Sequence, residues 1–234
     1  MARSLAQRVI EPEILDSLPI DDPRAKASRR DLVRINAIMC QGIIMARLLR
    51  KNVKRTPCRL LEIGAGDGRF MLSVAHRLGW TDVELTMLDQ SDLVTPKVRA
   101  DFAAMGWRVH TAVADVLDWI DGSEVGDFDA ICANLFLHHF DEAALGRLLA
   151  VMPRLAPCFL ATEPRRSGLA LWCTGWLRAI LANGVTLHDA AASVRAGFAG
   201  NELSHLWPRA SALAIEERRV GPFTHAFVAA AANP

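Results

Sequence analysis

The 234-residue chain has 51% hydrophobic and 23% charged residues. That composition builds a core without disulfides or metal clips and excludes an intrinsically disordered protein. Its 27 Lys and Arg nearly cancel 26 Asp and Glu, so no positive surplus is available to hold a polyanion and no nucleic-acid partner is expected.

The first 22 or so residues are polar and contain proline, and read as an irregular arm. They meet acidic residues before any long apolar stretch, unlike a secretory signal. Asp22-Pro23 is a helix start, an N-cap acid followed by proline at the first helical position. Leu32, Ile35, Met39, Ile43, Ala46 and Leu49 then recur at spacings of three and four, which predicts one long amphipathic helix over 23–52. Lys51, Lys54 and Arg55 suit its negative end and Pro57 closes it. Residues 1–57 therefore read as an arm and a capping helix, and 58–234 as the main domain. The longest charge-free apolar stretches fall short of the roughly 20 residues that span a bilayer, so no integral membrane segment is expected.

From Cys58 short apolar runs alternate with helical ones. Strands are predicted over 59–63, 83–88, 108–113, 129–133 and 158–162, and helices over 68–78, 96–105 and 141–155. Such alternation means βαβ units and a parallel sheet with helices on both faces. Residues 164–208 interrupt it with apolar, mainly helical sequence containing Trp172, Trp176 and Trp207, read as a helical lid. Residues 211–220 and 222–231 flank Gly221-Pro222 too closely for a crossover, so they form an antiparallel hairpin. The fold class is thus α/β: a doubly wound, seven-stranded, mostly parallel sheet with a closing hairpin. The five cysteines are odd in number, widely spaced and mostly in apolar runs, which reads as reduced thiols in a cytoplasmic protein.

The strongest chemical signal is Leu60-Leu61-Glu62-Ile63-Gly64-Ala65-Gly66-Asp67-Gly68-Arg69-Phe70, an apolar strand entering three glycines and leaving as a helix. Gly64 can turn tightly, Gly66 lets a ligand approach bare backbone, and Gly68 lets the helix sit close to the strand. Amides exposed at such a helix start favour an anionic group. A dinucleotide fingerprint would place its third glycine on Arg69. The spacing E-x-G-x-G-x-G instead resembles motif I of class I S-adenosylmethionine (AdoMet)-dependent methyltransferases.

Three further motifs fall where that family has them: Asp89 ending the second strand, Ala114-Asp115-Val116 after the third, and Phe128-Asp129-Ala130-Ile131-Cys132-Ala133-Asn134-Leu135 at the fourth, continuing into Leu137-His138-His139-Phe140. The resemblance covers roughly 58–163 and implies a Rossmann-like fold with AdoMet as cofactor. It places Glu62, Gly64, Ala65, Gly66 and Gly68 around the methionine end, Asp89 and Gln90 at the ribose, and Ala114, Asp115 and Val116 at the adenine. Asn134 and Leu135 complete that set.

The acceptor side is less determined. His138 and His139 have a pKa suited to a general base, but they lack the i, i+4 spacing of helical metal ligands, so no metal is expected. Glu163 and Arg165, after the fifth strand, can clamp an acceptor or form an ion cluster. Arg195 needs a partner in its apolar neighbourhood, and Trp172 with Trp176, four apart, can present indoles to a flat or lipid-like substrate. The absence of N/D-P-P-[FYW] after the fourth strand argues against amino-methylation of DNA. The motif style resembles small-molecule and quinone-type methyltransferases and bacterial members associated with phenolic lipids. O-methylation of a small apolar acceptor is the first reading. Ring C-methylation, a non-catalytic AdoMet-binding protein and an NAD-dependent oxidoreductase are the alternatives. A homodimer is left open.

Overall fold

The computed structural model describes residues 5–53, 58–122, 128–177 and 183–231. Lys54, Arg55 and Pro57, read above as closing the long helix, lie outside the described residues. Strands β1 (Cys58–Ile63), β2 (Val83–Asp89), β3 (Trp107–Val113), β4 (Ala130–Asn134), β5 (Cys158–Pro164), β6 (Ala214–Val220) and β7 (Thr224–Ala230) form one sheet in the order β3-β2-β1-β4-β5-β7-β6. The first five are parallel, and β7 runs antiparallel between β5 and β6. This is the Rossmann-like sheet with its closing hairpin. Strand order reverses between β1 and β4, which opens a crevice at their C-terminal ends.

Alternation along each strand feeds two cores. Leu60, Leu85, Cys132, Leu160 and Val228 face α3 (Gln41–Asn52), α4 (Arg69–Leu78) and α5 (Pro96–Ala104). Leu61, Ile63, Ile131, Phe159 and Phe227 face α6 (Val116–Asp121), α7 (Glu142–Leu155) and α10 (Glu202–Leu206). Truncating one of these fully buried leucines to alanine costs about 2–5 kcal/mol.

Four features differ from the sequence reading. The predicted 23–52 helix is two, α2 (Pro23–Ile38) and α3, bent by 60°. Cys40 caps α3 in a left-handed conformation (φ 56°), which a continuous helix cannot contain. The apolar spacing continues through the break because each half has its own partner. Leu32, Ile35 and Met39 line cavities, whereas Met45, Leu48 and Leu49 are buried in the core. Second, the arm holds a turn of helix, α1 (Ile14–Ser17). Asp189 caps it, its two oxygens accepting from the Ile14 and Leu15 amides at 2.9 and 3.0 Å.

Third, the 164–208 block divides in two. α8 (Gly168–Trp176) and α9 (Gly184–Ala196) line a cavity, whereas α10 and Trp207 belong to the core. Trp207 stacks on Phe159 with ring centroids 5.7 Å apart. Fourth, α6 was not foreseen, because it is short and follows its strand almost at once. Asp115 caps it by accepting from the Leu117 amide at 2.8 Å. The buried thiols of Cys58 and Cys158 are pushed up to about 11 and about 12, so they are protonated and unreactive. Among the described residues no single helix is long and apolar enough to cross a membrane.

Candidate active site

A cavity of about 620 Å³ opens at the switch point between β1 and β4. Glu62, Gly64, Ala65, Gly66, Asp89, Gln90, Ala114, Val116, Asn134 and Leu135 all line it, as do His138 and His139. Gly68 does not. It caps α4 at φ 75°, where an added Cβ would stand 3.0 Å from Met87 Sδ, so its task is close packing. Asp115 does not line the cavity either. Besides capping α6 it accepts from Gln90 Nε2 at 2.7 Å, and so fixes a neighbour that does.

The glycine loop holds itself together. Gly64 and Ala65 donate to Leu88 O, and Gly66 donates to Asp89 Oδ2 at 2.9 Å. Gly68 donates to Ala65 O, and Asp67 Oδ1 accepts from the Arg69 amide. The amides of Gly64, Ala65, Gly66, Gly68 and Arg69 are therefore committed within the protein. At Gly66 (φ 54°) an added Cβ would meet nothing within 4 Å, which leaves bare backbone open to a ligand. At Gly64 (φ 69°) it would stand 2.2 Å from the Phe136 ring.

Glu62, at the cavity floor, is 2% exposed, and its Oε2 has no hydrogen-bond partner among the described residues. Burial first, then the charges of Asp89 and Asp67, hold its carboxyl well above the usual range. Such an orphaned carboxyl at the edge of open space fits a cationic ligand group. Asn134 is fixed from both sides, accepting from Thr162 Oγ1 at 2.9 Å and donating to Asn36 Oδ1 of α2 at 3.1 Å.

Beyond β4 the chain turns at Leu135 (φ 51°) into a 3-10 turn, Leu137–His139. Glu163 was read as a rim acid, but it is fully buried in β5 and cannot touch an acceptor. One oxygen accepts from the Phe136 and Leu137 amides at 3.0 and 2.9 Å, and the other from His138 Nδ1 at 2.8 Å. The opposite nitrogen of His138, Nε2, lies 3.4 Å from Glu13 Oε1. Burial opposes charge on this ring, but the two carboxylates outweigh it and raise its pKa to about 9. His138 is therefore an imidazolium at neutral pH, with no lone pair to accept a proton. His139 has its pKa lowered by burial and by the charge of His138, and its Nδ1 is 3.6 Å from Asp16 Oδ2. Glu13, His138 and His139 bring three potential ligand atoms within 4.8 Å of one another.

A second, apolar chamber of about 230 Å³ adjoins the first, walled by α2, α8 and α9. Leu32, Ile35, Met39, Ala170, Trp176 and Val194 are among its lining residues. Glu13, Leu15, Leu32, Leu135, Pro164 and Ser193 line both spaces and mark the junction. The remaining acceptor-side candidates fall elsewhere. Trp172 packs edge-on against Trp176 but is 63% exposed and lines neither space. Arg165 lies outside both, with its guanidinium 3.5 Å from Pro222 O. Arg195 finds its partner in Glu11, at 3.8 Å.

Sequence reasoning missed the arm. Arg8 lies over the Phe198 ring and donates to Ala196 O, His138 O and Phe140 O, and buried Arg166 donates to Leu5 O at 2.9 Å. With Asp189 holding Ile14 and Leu15, these bonds pin Glu13 from both sides. Burial opposes charge on Glu13, but His138 and Ser193 outweigh it and hold the carboxyl below its ordinary value. The only hint in the sequence was three acids, Glu11, Glu13 and Asp16, in a segment that also reads as solvated.

Residues 60–156 match a family model described as a methyltransferase domain. No curated protein matches the sequence. Among solved structures, the plantazolicin methyltransferase BpumL in complex with SAH superposes with a TM-score of 0.63 at 14% identity, covering 93% of both chains. An O-methyltransferase family protein from Burkholderia thailandensis gives 0.57 at 16%, covering 98% of this chain and 65% of its own. The pyocyanin biosynthetic protein PhzM gives 0.59 at 20%, covering 93% and 60%. This chain thus spans less than two thirds of the length of those last two. Residues 60–156 thus match a methyltransferase-domain model, and the sheet around them has the Rossmann-like fold that these structures share.

Proposed function

We propose that the protein transfers a methyl group from AdoMet to the oxygen of a small, largely apolar acceptor, with a phenol as the first choice. The observation that carries this reading is the junction of two unlike spaces, a cavity of mixed polar and apolar lining at the glycine loop and an almost wholly apolar chamber beside it. In the first, the orphaned Glu62 carboxyl suits the α-ammonium of AdoMet, which supplies the charge the buried acid lacks. Asp89, beside Gly66 and Ser91, has lone pairs left for ribose hydroxyls, and Ala114, Val116 and Leu88 supply apolar contact for adenine. Bound AdoMet supplies a methyl carbon already activated by its sulfonium. The chain must orient the nucleophile in line with it, exclude water and dispose of a proton.

The chamber suits the apolar body of the acceptor, which would leave its hydroxyl at the junction. Removing such a body from water contributes about 25 cal/mol per Å² of apolar surface, enough to bring a flexible tail into a dry pocket. The similar structures support oxygen as the nucleophile only through what those proteins are called: one is an O-methyltransferase family protein. The test is incubation with labelled AdoMet and a panel of phenols, quinones and lipid extracts, with products identified by mass spectrometry. A methyl ether is the expected product. A ring C-methyl product would reassign the nucleophile, and AdoMet binding with no transfer to any acceptor would leave a non-catalytic binding protein.

A further inference from the structure

The proton of the acceptor hydroxyl needs a destination, and resting on the reading above we propose that it is Glu13 of the N-terminal arm, seated where the two cavities meet. Among the described residues Glu13 is the one titratable side chain that lines both spaces. Its Oε1 lies 3.4 Å from His138 Nε2 and in contact with Ser193 Oγ. An acceptor whose body fills the chamber and whose oxygen reaches the cofactor cavity must pass this carboxylate.

The neighbouring carboxylates have other partners, Asp16 among them, which faces His139 Nδ1 at 3.6 Å. Asp189 spends both oxygens on the Ile14 and Leu15 amides. Asp89 ties Gly66 and Ser91, and Glu62 lies on the floor of the cofactor cavity. His138 donates to Glu163 on one side and faces Glu13 on the other, so its role is to position the carboxylate and keep it ionised. Its buried Nε2 faces the Glu13 carboxylate at 3.4 Å, which ties the two groups together by charge. The groups facing Glu13 are His138 and His139 from the 3-10 turn, Ser193 from α9, and Asp16 from the helix that Glu13 precedes. The carboxyl of Asp16 is raised to about 6 by burial and by Glu13 and Asp189.

In the transfer the acceptor O–H bond breaks and its proton goes to a Glu13 carboxylate oxygen. The acceptor oxygen forms a bond to the methyl carbon, and the carbon–sulfur bond breaks with its electron pair returning to sulfur. The products are the methyl ether and S-adenosylhomocysteine (AdoHcy), and Glu13 then releases the proton to water. No oxidant or metal is needed for this balance.

The test compares wild type with Glu13→Gln on two probes, 4-heptylphenol and its far more acidic 2-nitro derivative, assayed at about pH 8.5, where the nitrophenol is mostly ionised and the parent phenol is not. For 4-heptylphenol kcat should fall by about 100-fold or more, the scale of general-base catalysis. The nitro compound should lose far less, and AdoHcy affinity should be unchanged. A readout without turnover uses the AdoHcy-loaded protein. The visible spectrum of bound nitrophenol should show its pKa raised by the neighbouring carboxylate in wild type and returned toward the solution value in Glu13→Gln. Glu13→Asp should recover part of the lost rate.

Equal rates for Glu13→Gln and wild type on 4-heptylphenol overturn the assignment. So does the same selective loss appearing in His139→Asn instead, which would make the neutral imidazole the base. Activity that stops with a chelator and returns with a divalent cation would also overturn it, handing Glu13, His138 and His139 to a metal. AdoHcy binding with no phenol methylated by wild type overturns the acceptor reading itself, and this assignment falls with it.

Discussion

Around the glycine loop the cavity is shaped by neighbours in sequence: β1, the turn after it, and the end of β2 beside it. Around Glu13 it is shaped by groups from residue 8 to residue 193. The first region is held by backbone bonds between adjacent parallel strands, which any sheet of this order supplies. The second depends on long-range ties, Arg8 to His138 O and Phe140 O and Asp189 to the amides of α1. A binding site for a common ligand can be built locally and kept rigid. A site for a particular acceptor is assembled from whatever segments cover the crevice, and it is the part free to vary without loss of the fold.

The sharpest way to break the local region is Gly64→Ala. The new methyl group meets both the positive φ and the Phe136 ring 2.2 Å away. Left-handed strain and overpacking together should cost about 3 kcal/mol, seen as a thermal midpoint lowered by about 10 °C, with AdoHcy binding lost alongside. Gly66→Ala has the same backbone strain but open space around the new Cβ. It should therefore retain much more stability while still losing affinity. If the two variants melt alike, Phe136 yields and the packing argument fails.

Asp89→Ala and Glu62→Gln sharpen the comparison at the level of chemistry. Removing a carboxylate hydrogen-bonded to ligand and loop should weaken AdoHcy by roughly 100-fold for Asp89. Glu62→Gln should cost less, because the free enzyme holds that carboxyl neutral. Its signature is different: binding a cationic amine favours the ionised form, so wild type should release a proton on binding below the raised pKa. Affinity should then fall as pH falls. Calorimetry in buffers of different ionisation enthalpy reads that proton directly, and Glu62→Gln should abolish it.

How much of this was legible follows the same division. That Gly64, Gly66, Glu62, Asp89, Ala114 and Asn134 line one cavity could be anticipated, because each is placed by its position relative to a strand end, which a single stretch of sequence displays. Glu163 was found as a residue but misread as rim. Its burial comes from lying inside β5, which runs two residues further than its apolar run. The 23–52 helix was read as one because the apolar spacing persists through Cys40, and nothing local shows that the two halves serve a cavity and a core. Glu13 was invisible, because what sets its surroundings is His138, 125 positions away in sequence.

The pair itself has a pH signature. His138 binds its proton more tightly folded than unfolded, with its pKa raised from about 6.5 to about 9. The stability this contributes is complete below the unfolded value and lost as pH rises through about 9. Melting temperature should therefore fall between pH 7 and 10. Glu163→Gln should lower the midpoint at neutral pH but flatten that fall, since the charge holding the proton is gone. A slope identical to wild type would mean that the titrating group lies elsewhere.

The smallest effects belong to the two exposed indoles, and they separate lining the chamber from merely lying near it. Trp176 lines the chamber while Trp172 does not, although the two rings pack against each other at 5.6 Å and both are about 60% exposed. Trp176→Ala should raise KM for an alkylphenol several-fold, by about 1 kcal/mol of lost apolar contact, with the penalty growing as the alkyl chain lengthens. Trp172→Ala should alter it little, and only through the support its ring gives Trp176. Equal penalties from both, independent of chain length, would mean that the indoles form an outer surface patch. The acceptor's body would then be bounded by Leu32, Ile35 and Met39 of α2 rather than by the helix that closes over them.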